Sequence, residues 1–281
     1  MATSPEFLAI GHVTKDLLPG GGHALGGTVT YASLAAHRLG LSAAVLTSAP
    51  TDLDLPRYLQ GIELHVITSP VATTFENAYD GERRHQYVRS TALPLPAAQL
   101  PTAWRGAAIV LLGPLVGELG VDWLNACPAA LAGVTPQGWM RQWDDTGRVS
   151  VKAWSNAQSI LSQVDVLVFS EEDVANDEAA VQRYARMARI AAVTRGHRGA
   201  TVFLDETARD IPAFRAREVD FTGAGDVFAA AFLVRLKETD DPCEAAAFAN
   251  GAASLCIEGQ GIDGIPSRRQ VNERVRKGKL R

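Results

Sequence analysis

Short apolar runs punctuate the chain: 7-FLAI-10, 43-AAVL-46, 109-IVLL-112, 164-VDVLVF-169 and 190-IAAV-193. Each is too short for a helix and is bounded by polar or turn-forming residues, which predicts strands buried on both faces. Between them lie stretches of helical period: 28-TVTYASLAAHRLG-40, closed by Gly40, then 171-EEDVANDEAAVQRYARMARI-190, then 224–236 and 242–257. This alternation predicts an α/β protein with a mostly parallel sheet, crossover helices and ligand sites at strand ends. The segment 71-VATTFENAYDGERRHQYVRS-90 breaks the rhythm. Its two runs rich in Val, Thr, Phe and Tyr, separated by Asp80-Gly81, predict a β-hairpin. A lid or subunit contact and an antiparallel edge of the main sheet are both consistent with that pattern. The stretch 94-PLPAAQLP-101 reads as a local linker, and no internal repeat is evident.

Composition narrows the class. A chain of 281 residues with 47% hydrophobic content can bury a sizeable core. A net charge of −4 provides no field that gathers nucleic acid or an anionic membrane, and the basic tail 268–281 is interrupted by Glu273 and reads as a solvated terminal helix. The most apolar segment, 107-AAIVLLGPLVG-117, contains Pro114 and is about half the length needed to cross a bilayer. The amino terminus lacks a basic start and an apolar core of signal-peptide length. Cys127, Cys243 and Cys256 show no CxxC spacing, which predicts reduced, buried thiols and a cytoplasmic protein. His12 and His23, near glycines and without metal-ligand spacing, read as surface donors, and the five tryptophans as core.

The chemistry concentrates in 218-EVDFTGAGDVFAAAFLVRL-236. Small residues at Gly223-Ala224-Gly225 let a ligand approach the backbone. Amides at a helix start lack intrahelical partners and carry the positive end of the helix dipole, so they suit an anion. Asp226 beside a phosphate is unfavourable unless it performs a step, such as taking the proton of an attacking hydroxyl. The alternative is a glycine-rich turn in which Asp226 stabilises the first helical turn, and these five residues alone leave both open. Neither a P-loop nor GxGxxG is present.

The motif 220-DFTGAGD-226 resembles the carboxy-terminal signature D-[TF]-x-G-A-G-D of the PfkB carbohydrate kinase family, in the ribokinase-like superfamily. Other segments resemble the family in order. They are 8-LAIGHVTKDLL-18 for the first strand and its substrate-binding Asp, 26-GGTVTYASLAAHRLG-40 for GGxxxNxAxxLxxLG, 190-IAAVTRGHRGATVF-203 for the strand and V-T-x-G-x-x-G turn, and 261-GIDGIP-266 for the closing G-x-x-x-x-P. Together they run from about residue 7 to about residue 270. The resemblance implies a three-layer α/β/α sandwich over 1–281, with 71–90 as a small β-lid covering the substrate and a homodimer through that lid. It implies ATP-dependent transfer of the γ-phosphate to a hydroxyl of a small polyol, with Asp226 as general base and the amides of Gly223, Ala224 and Gly225 as anion hole. Asp16, Gly26, Gly27 and Tyr31 would meet the substrate. Thr194, Gly196, Gly199, Thr222, Gly223, Gly225, Asn250 and Gly251 would meet the nucleotide, Mg²⁺ would bridge its phosphates, and Asp220 would adjoin a monovalent cation such as K⁺.

Two departures qualify this picture. The family's N-x-x-E is 170-SEED-173 here, so Asp173, or else Glu171 or Glu172, would order water around magnesium. An equally consistent reading is a capped acidic first turn after Ser170. Tyr31 stands where many relatives carry a sugar-binding Asn; this weakens ribose and, with the G-x-x-R of Gly138 to Arg141, leans toward the inositol and cyclitol kinases. A nucleoside kinase of the same fold and a catalytically silent sugar- or nucleotide-binding regulator are the alternatives.

Overall fold

The computed structural model describes residues 4–80, 83–128 and 130–281. Its first part supplies β1 (Phe7–Ile10), β2 (Thr14–Leu17), β3 (His23–Gly26), α1 (Thr28–Arg38), β4 (Ala43–Ala49), α2 (Leu55–Tyr58), β5 (Ile62–Thr68), β6 (Thr73–Asp80) and β7 (Arg83–Ser90). The middle adds β8 (Ile109–Leu112), β9 (Leu131–Val134), β10 (Arg141–Trp143), β11 (Val149–Val151), α3 (Ala157–Leu161), β12 (Val166–Ser170) and α4 (Glu178–Ala185). The last part holds β13 (Ile190–Thr194), β14 (Ala200–Leu204), β15 (Thr207–Ile211), α5 (Ala224–Thr239), α6 (Pro242–Cys256) and α7 (Arg268–Lys277).

Among the described residues nine strands form the main sheet in the order β15-β14-β13-β12-β9-β8-β1-β4-β5. Only β14 and β15 run antiparallel to their neighbours. Every residue of β1, β4 and β8 is buried, so these strands show no polar alternation. Phe7 and Ala9 face a layer made by α1, α5 and α6, whereas Leu8 and Ile10 face Trp104, Trp123, Trp154 and Tyr184 on the other side. The result is the three-layer ribokinase-like sandwich. From β1 the chain turns first to β4 and β5 on one side, then returns to β8 on the other. The crevice outside the strand ends at such a reversal is where an α/β sheet receives ligands.

The 71–90 hairpin forms as β6 and β7, although Gly81, and with it the predicted Asp80-Gly81 turn, lies outside the described residues. It is not an edge of the main sheet. It joins β2 and β3 in a separate four-stranded sheet, β3-β2-β6-β7. A third element, the β10–β11 hairpin, meets this sheet where the Val88 amide donates to the Gly147 carbonyl at 2.8 Å.

Several expectations need correction. The predicted helix 171–190 is two pieces: a 3-10 turn at Glu171–Val174 and α4, separated by Ala175 and Asn176 at φ 54 and 60. The physical reason is a double cap. Asp173 closes a capping box on Ser170, and Asp177 then accepts the amides of Ala179 and Ala180 to start a new helix. The terminal helix is docked, not merely solvated: Val271 is fully buried and Arg274 reaches Glu258 at 2.8 Å. Of the cysteines only Cys256 is buried, while Cys127 and Cys243 are partly exposed. His12 is no surface donor. It is fully buried, its ring nitrogens bonding the Thr73 hydroxyl at 2.7 Å and the Leu93 carbonyl at 2.9 Å, which braces the base of the small sheet. Trp143, unlike Trp104, Trp123 and Trp154, is exposed. Among the described residues no helix is long and apolar enough to cross a membrane.

Candidate active site

The site is built around the first turn of α5. Gly223 precedes that helix at φ +76, in the left-handed region open to glycine, and a Cβ there would fall 2.0 Å from the Tyr31 ring. Glycine therefore lets the loop close onto α1. At Gly225 a Cβ would meet nothing within 4 Å, so the loop is sealed at one glycine and open at the other. The Ala224 amide donates to the Phe221 carbonyl at 3.2 Å, closing a turn. Among the described residues the amides of Gly223, Gly225 and Asp226 make no such backbone bond, which makes them the donors left for an anion. The predicted cradle is thus narrower at Ala224 and extends to Asp226.

Asp226 is half-buried on that turn, and desolvation pushes its carboxyl up to about 6. The Thr28 hydroxyl donates to it and Arg141 favours its charge, while Asp173 and Asp16 oppose it. Thr28 can stand so close because Gly113, after β8, has no side chain: a Cβ there would lie 2.6 Å from the Thr28 methyl. Thr28 and Arg141 are neighbours of Asp226 that the motifs did not assign. Only the G-x-x-R spacing, in which Gly138 packs so close to Leu115 that a Cβ would lie 2.5 Å from its amide nitrogen, pointed toward Arg141.

On the other side of the crevice, Asp16 lies on β2, where the Thr14 hydroxyl donates to its Oδ1 at 3.0 Å. A Cβ on Gly26 would fall 2.4 Å from Asp16 Oδ2, and one on Gly27 (φ +93) would fall 2.4 Å from the His12 carbonyl oxygen. Both glycines therefore permit β3 and α1 to pack flush against β2. Tyr31 is 3% exposed, and its phenol is held far above its ordinary range by burial, reinforced by Asp220, Asp226 and Asp16. Its ring fills the space between α1 and the anion loop.

Asp173 faces the same site from the end of β12. One of its oxygens accepts the Ser170 amide at 2.9 Å and the other the Gln137 side-chain amide at 3.2 Å. The capping reading of 170-SEED-173 is therefore realised, yet the carboxylate also acts on Asp226. Glu171 is engaged elsewhere, paired with Arg195 at 3.0 Å and with Arg198. Those pairs fasten the SEED turn to the neighbouring turn after β13, which carries Thr194, Gly196 (φ 55) and Gly199 (φ 97). Thr194 ends β13 half-buried, beside Ser170.

Asn250 and Gly251, expected at the nucleotide, are both engaged in helix packing. The Asn250 amide donates to the Ile211 and Pro212 carbonyls at 3.0 and 3.1 Å, and a Cβ on Gly251 would meet Val275 at 3.0 Å and Phe214 at 3.7 Å. Both hold α6 against its neighbours. Among the described residues no three His, Cys, Asp or Glu side chains gather as a metal cage. The arrangement instead presents one carboxylate of raised pKa beside amide donors and a cationic Arg141. That donor set fits a divalent ion carried on phosphate oxygens rather than in a protein cage.

Comparison with known proteins agrees with this fold. Residues 138–268 match the family model described as pfkB family carbohydrate kinase. The chain is 43% identical over 82 residues to a ribokinase of Bacillus subtilis (strain 168), covering 29% of this chain and 28% of that one. It spans less than two thirds of the length of the curated relatives it matches. Among solved structures, a pyrophosphate-dependent kinase in the ribokinase family, complexed with a pyrophosphate analogue and myo-inositol, superposes with a TM-score of 0.79 at 24% identity. That match covers 95% of this chain and 99% of the other. The ribokinase of Arabidopsis thaliana, complexed with ribose and ATP, superposes with a TM-score of 0.71 at 19% identity, over 98% and 100% of the two chains.

Proposed function

Because residues 138–268 match the pfkB family carbohydrate kinase model and the fold is shared with ribokinase-family structures, we propose that this chain transfers the γ-phosphoryl group of ATP to a hydroxyl of a small sugar or cyclitol. The observation that carries the reading is Asp226: a half-buried carboxyl raised to about 6, on the same helical turn as three amides without backbone partners. A base of that pKa is ionised at neutral pH and still accepts a proton readily. In the transfer, the acceptor O–H bond breaks and its proton passes to Asp226. The freed oxygen bonds to phosphorus, and the bridging P–O bond breaks to release the nucleoside diphosphate. The amides of Gly223, Gly225 and Asp226 receive the charge that develops on the phosphoryl oxygens, and Arg141 adds positive charge on the same side. Thr28 orients the Asp226 carboxylate, while Asp16 is placed to accept hydrogen bonds from other hydroxyls of the acceptor.

Magnesium, when bound, neutralises the donor phosphates, and Asp173 would hold it through water. Thr194, Gly196, Gly199 and Thr222 remain the proposed donor contacts, and the β3-β2-β6-β7 sheet, which carries Asp16, is the proposed lid and dimer face. The lean is toward myo-inositol or a related polyol. A rigid aromatic, Tyr31, occupies the position that would otherwise present an amide to a sugar, and the similar pyrophosphate-dependent kinase was solved with myo-inositol. A phosphate-transfer assay against sugars, cyclitols and nucleosides tests this. Turnover with a cyclitol supports the lean, turnover with nucleosides alone replaces it, and binding without any donor consumption leaves a silent regulator.

A second reading of the donor is favoured by Asn250 and Gly251, because the Asn250 side-chain amide proposed to approach adenine is already bonded to the Ile211 and Pro212 carbonyls. Inorganic pyrophosphate would need only the amides, Arg141 and the turn after β13. Running the assay with ATP and with pyrophosphate separates the two.

A further inference from the structure

Asp220 stands where the family resemblance places a monovalent cation, and backbone amides donate to both of its carboxylate oxygens. Its Oδ1 accepts the Thr222 amide at 2.9 Å and its Oδ2 accepts the Gly261 amide at 2.9 Å. Gly261 adopts φ +52, a conformation that side-chain-bearing residues rarely take, and its N–H points at the carboxylate. The chain leading into Asp220 is anchored as well, since the Val219 and Asp220 amides both donate to the Ile257 carbonyl at the end of α6, at 2.8 and 3.2 Å. Tyr31 crowds the same turn: its phenolic oxygen lies 3.9 Å from where a Gly261 Cβ would stand, and its ring seals Gly223.

A potassium-like cation sheds its water only for a shell of oxygens turned toward it. Asp220 instead meets the positive ends of two amide dipoles, one at each oxygen, which compete with a cation for the carboxylate and repel it. These residues do not fit the cation. We propose that Asp220 is a positioning residue that stands in for it, clamping the Gly261 turn to the Thr222 end of the anion loop so that the Gly223 and Gly225 amides are held ready without a monovalent ion. What the loop receives rests on the phosphotransfer reading; the clamp itself does not.

The test is to melt the unaltered protein in potassium, sodium, caesium and choline chlorides at matched ionic strength, and to measure phosphate transfer in the same salts. The expected result is a Tm constant within about 1 °C and turnover constant within about twofold. A saturable rise in Tm above about 3 °C in potassium over choline, or a turnover gain of about tenfold, overturns the proposal. Absence of transfer with every donor and salt would sink the phosphotransfer reading, and the melting series would still decide the clamp. For Asp220→Asn, whose amide sets an N–H against an N–H, kcat is expected to fall by about 10- to 100-fold with the acceptor KM unchanged and no recovery in potassium. A raised KM at unchanged kcat, or recovery in potassium, overturns it.

Discussion

The two walls of the crevice are made in different ways. The anion loop and α5 are contiguous: seven residues from Asp220 to Asp226 supply the clamp, the left-handed glycine, the open amides and the carboxylate. The acceptor wall is gathered from afar, with Asp16 on β2, Gly26 and Gly27 before α1, Thr28 and Tyr31 on α1, and Arg141 on a separate hairpin. A local wall can be written as a motif because its geometry follows from one helix start. A wall of scattered pieces can vary one piece at a time, and in the proposed reaction that freedom is where acceptor choice would reside.

The largest expected break in this contrast is Asp226→Asn, which should lower turnover by about 10²–10⁴-fold or more while acceptor and donor binding persist. Single-turnover assays with calorimetry check this, and near-normal turnover would remove Asp226 as base. The same variant should raise Tm near neutral pH, since the neutral amide removes a desolvated charge. The folded carboxyl holds its proton more tightly than the unfolded one, so ionisation destabilises the wild type above about 6, and the gain should shrink as pH falls below that value.

Next in size is the contact that joins the walls. Gly223→Ala should cost about 3 kcal/mol or more, from a Cβ inside the Tyr31 ring and from left-handed strain, as read by denaturant melts. Adding Tyr31→Ala should recover about 1–2 kcal/mol of that loss, a coupling absent if the walls are independent. Gly225→Ala, whose Cβ meets open space, should change stability by less than about 0.5 kcal/mol yet weaken donor affinity. Smaller still is a shift in the pH profile. The rate should rise with pH through about 6 as Asp226 ionises, and Asp173→Asn should move that limb to lower pH, because the Asp173 charge opposes ionisation. A limb that stays in place would show that Asp173 does not act on the base.

Much of the fold was readable because five strands buried on both faces leave uninterrupted apolar runs, and β1, β8 and β13 fall where those runs lie. What escaped was short and polar. β2 and β3, four residues each and partly exposed, carry no run at all, and they become strands only by pairing with each other and with β6. The 171–190 stretch kept its helical period, but two local caps overrode it at Ala175 and Asn176.

Residues 220–226 by themselves determined a glycine-rich turn opening a helix with a carboxylate in its first turn, because small residues and unpaired first-turn amides follow from local chain geometry. The sequence could not determine what surrounds that carboxylate. Desolvation raises the pKa of Asp226, Asp173 and Asp16 add to the rise, Thr28 and Arg141 hold it back, and the grip on Asp220 comes from Gly261. Desolvation and coupling depend on distance in space, and only the packing of α1, the small sheet and the closing turn onto the strand ends brings those groups within range.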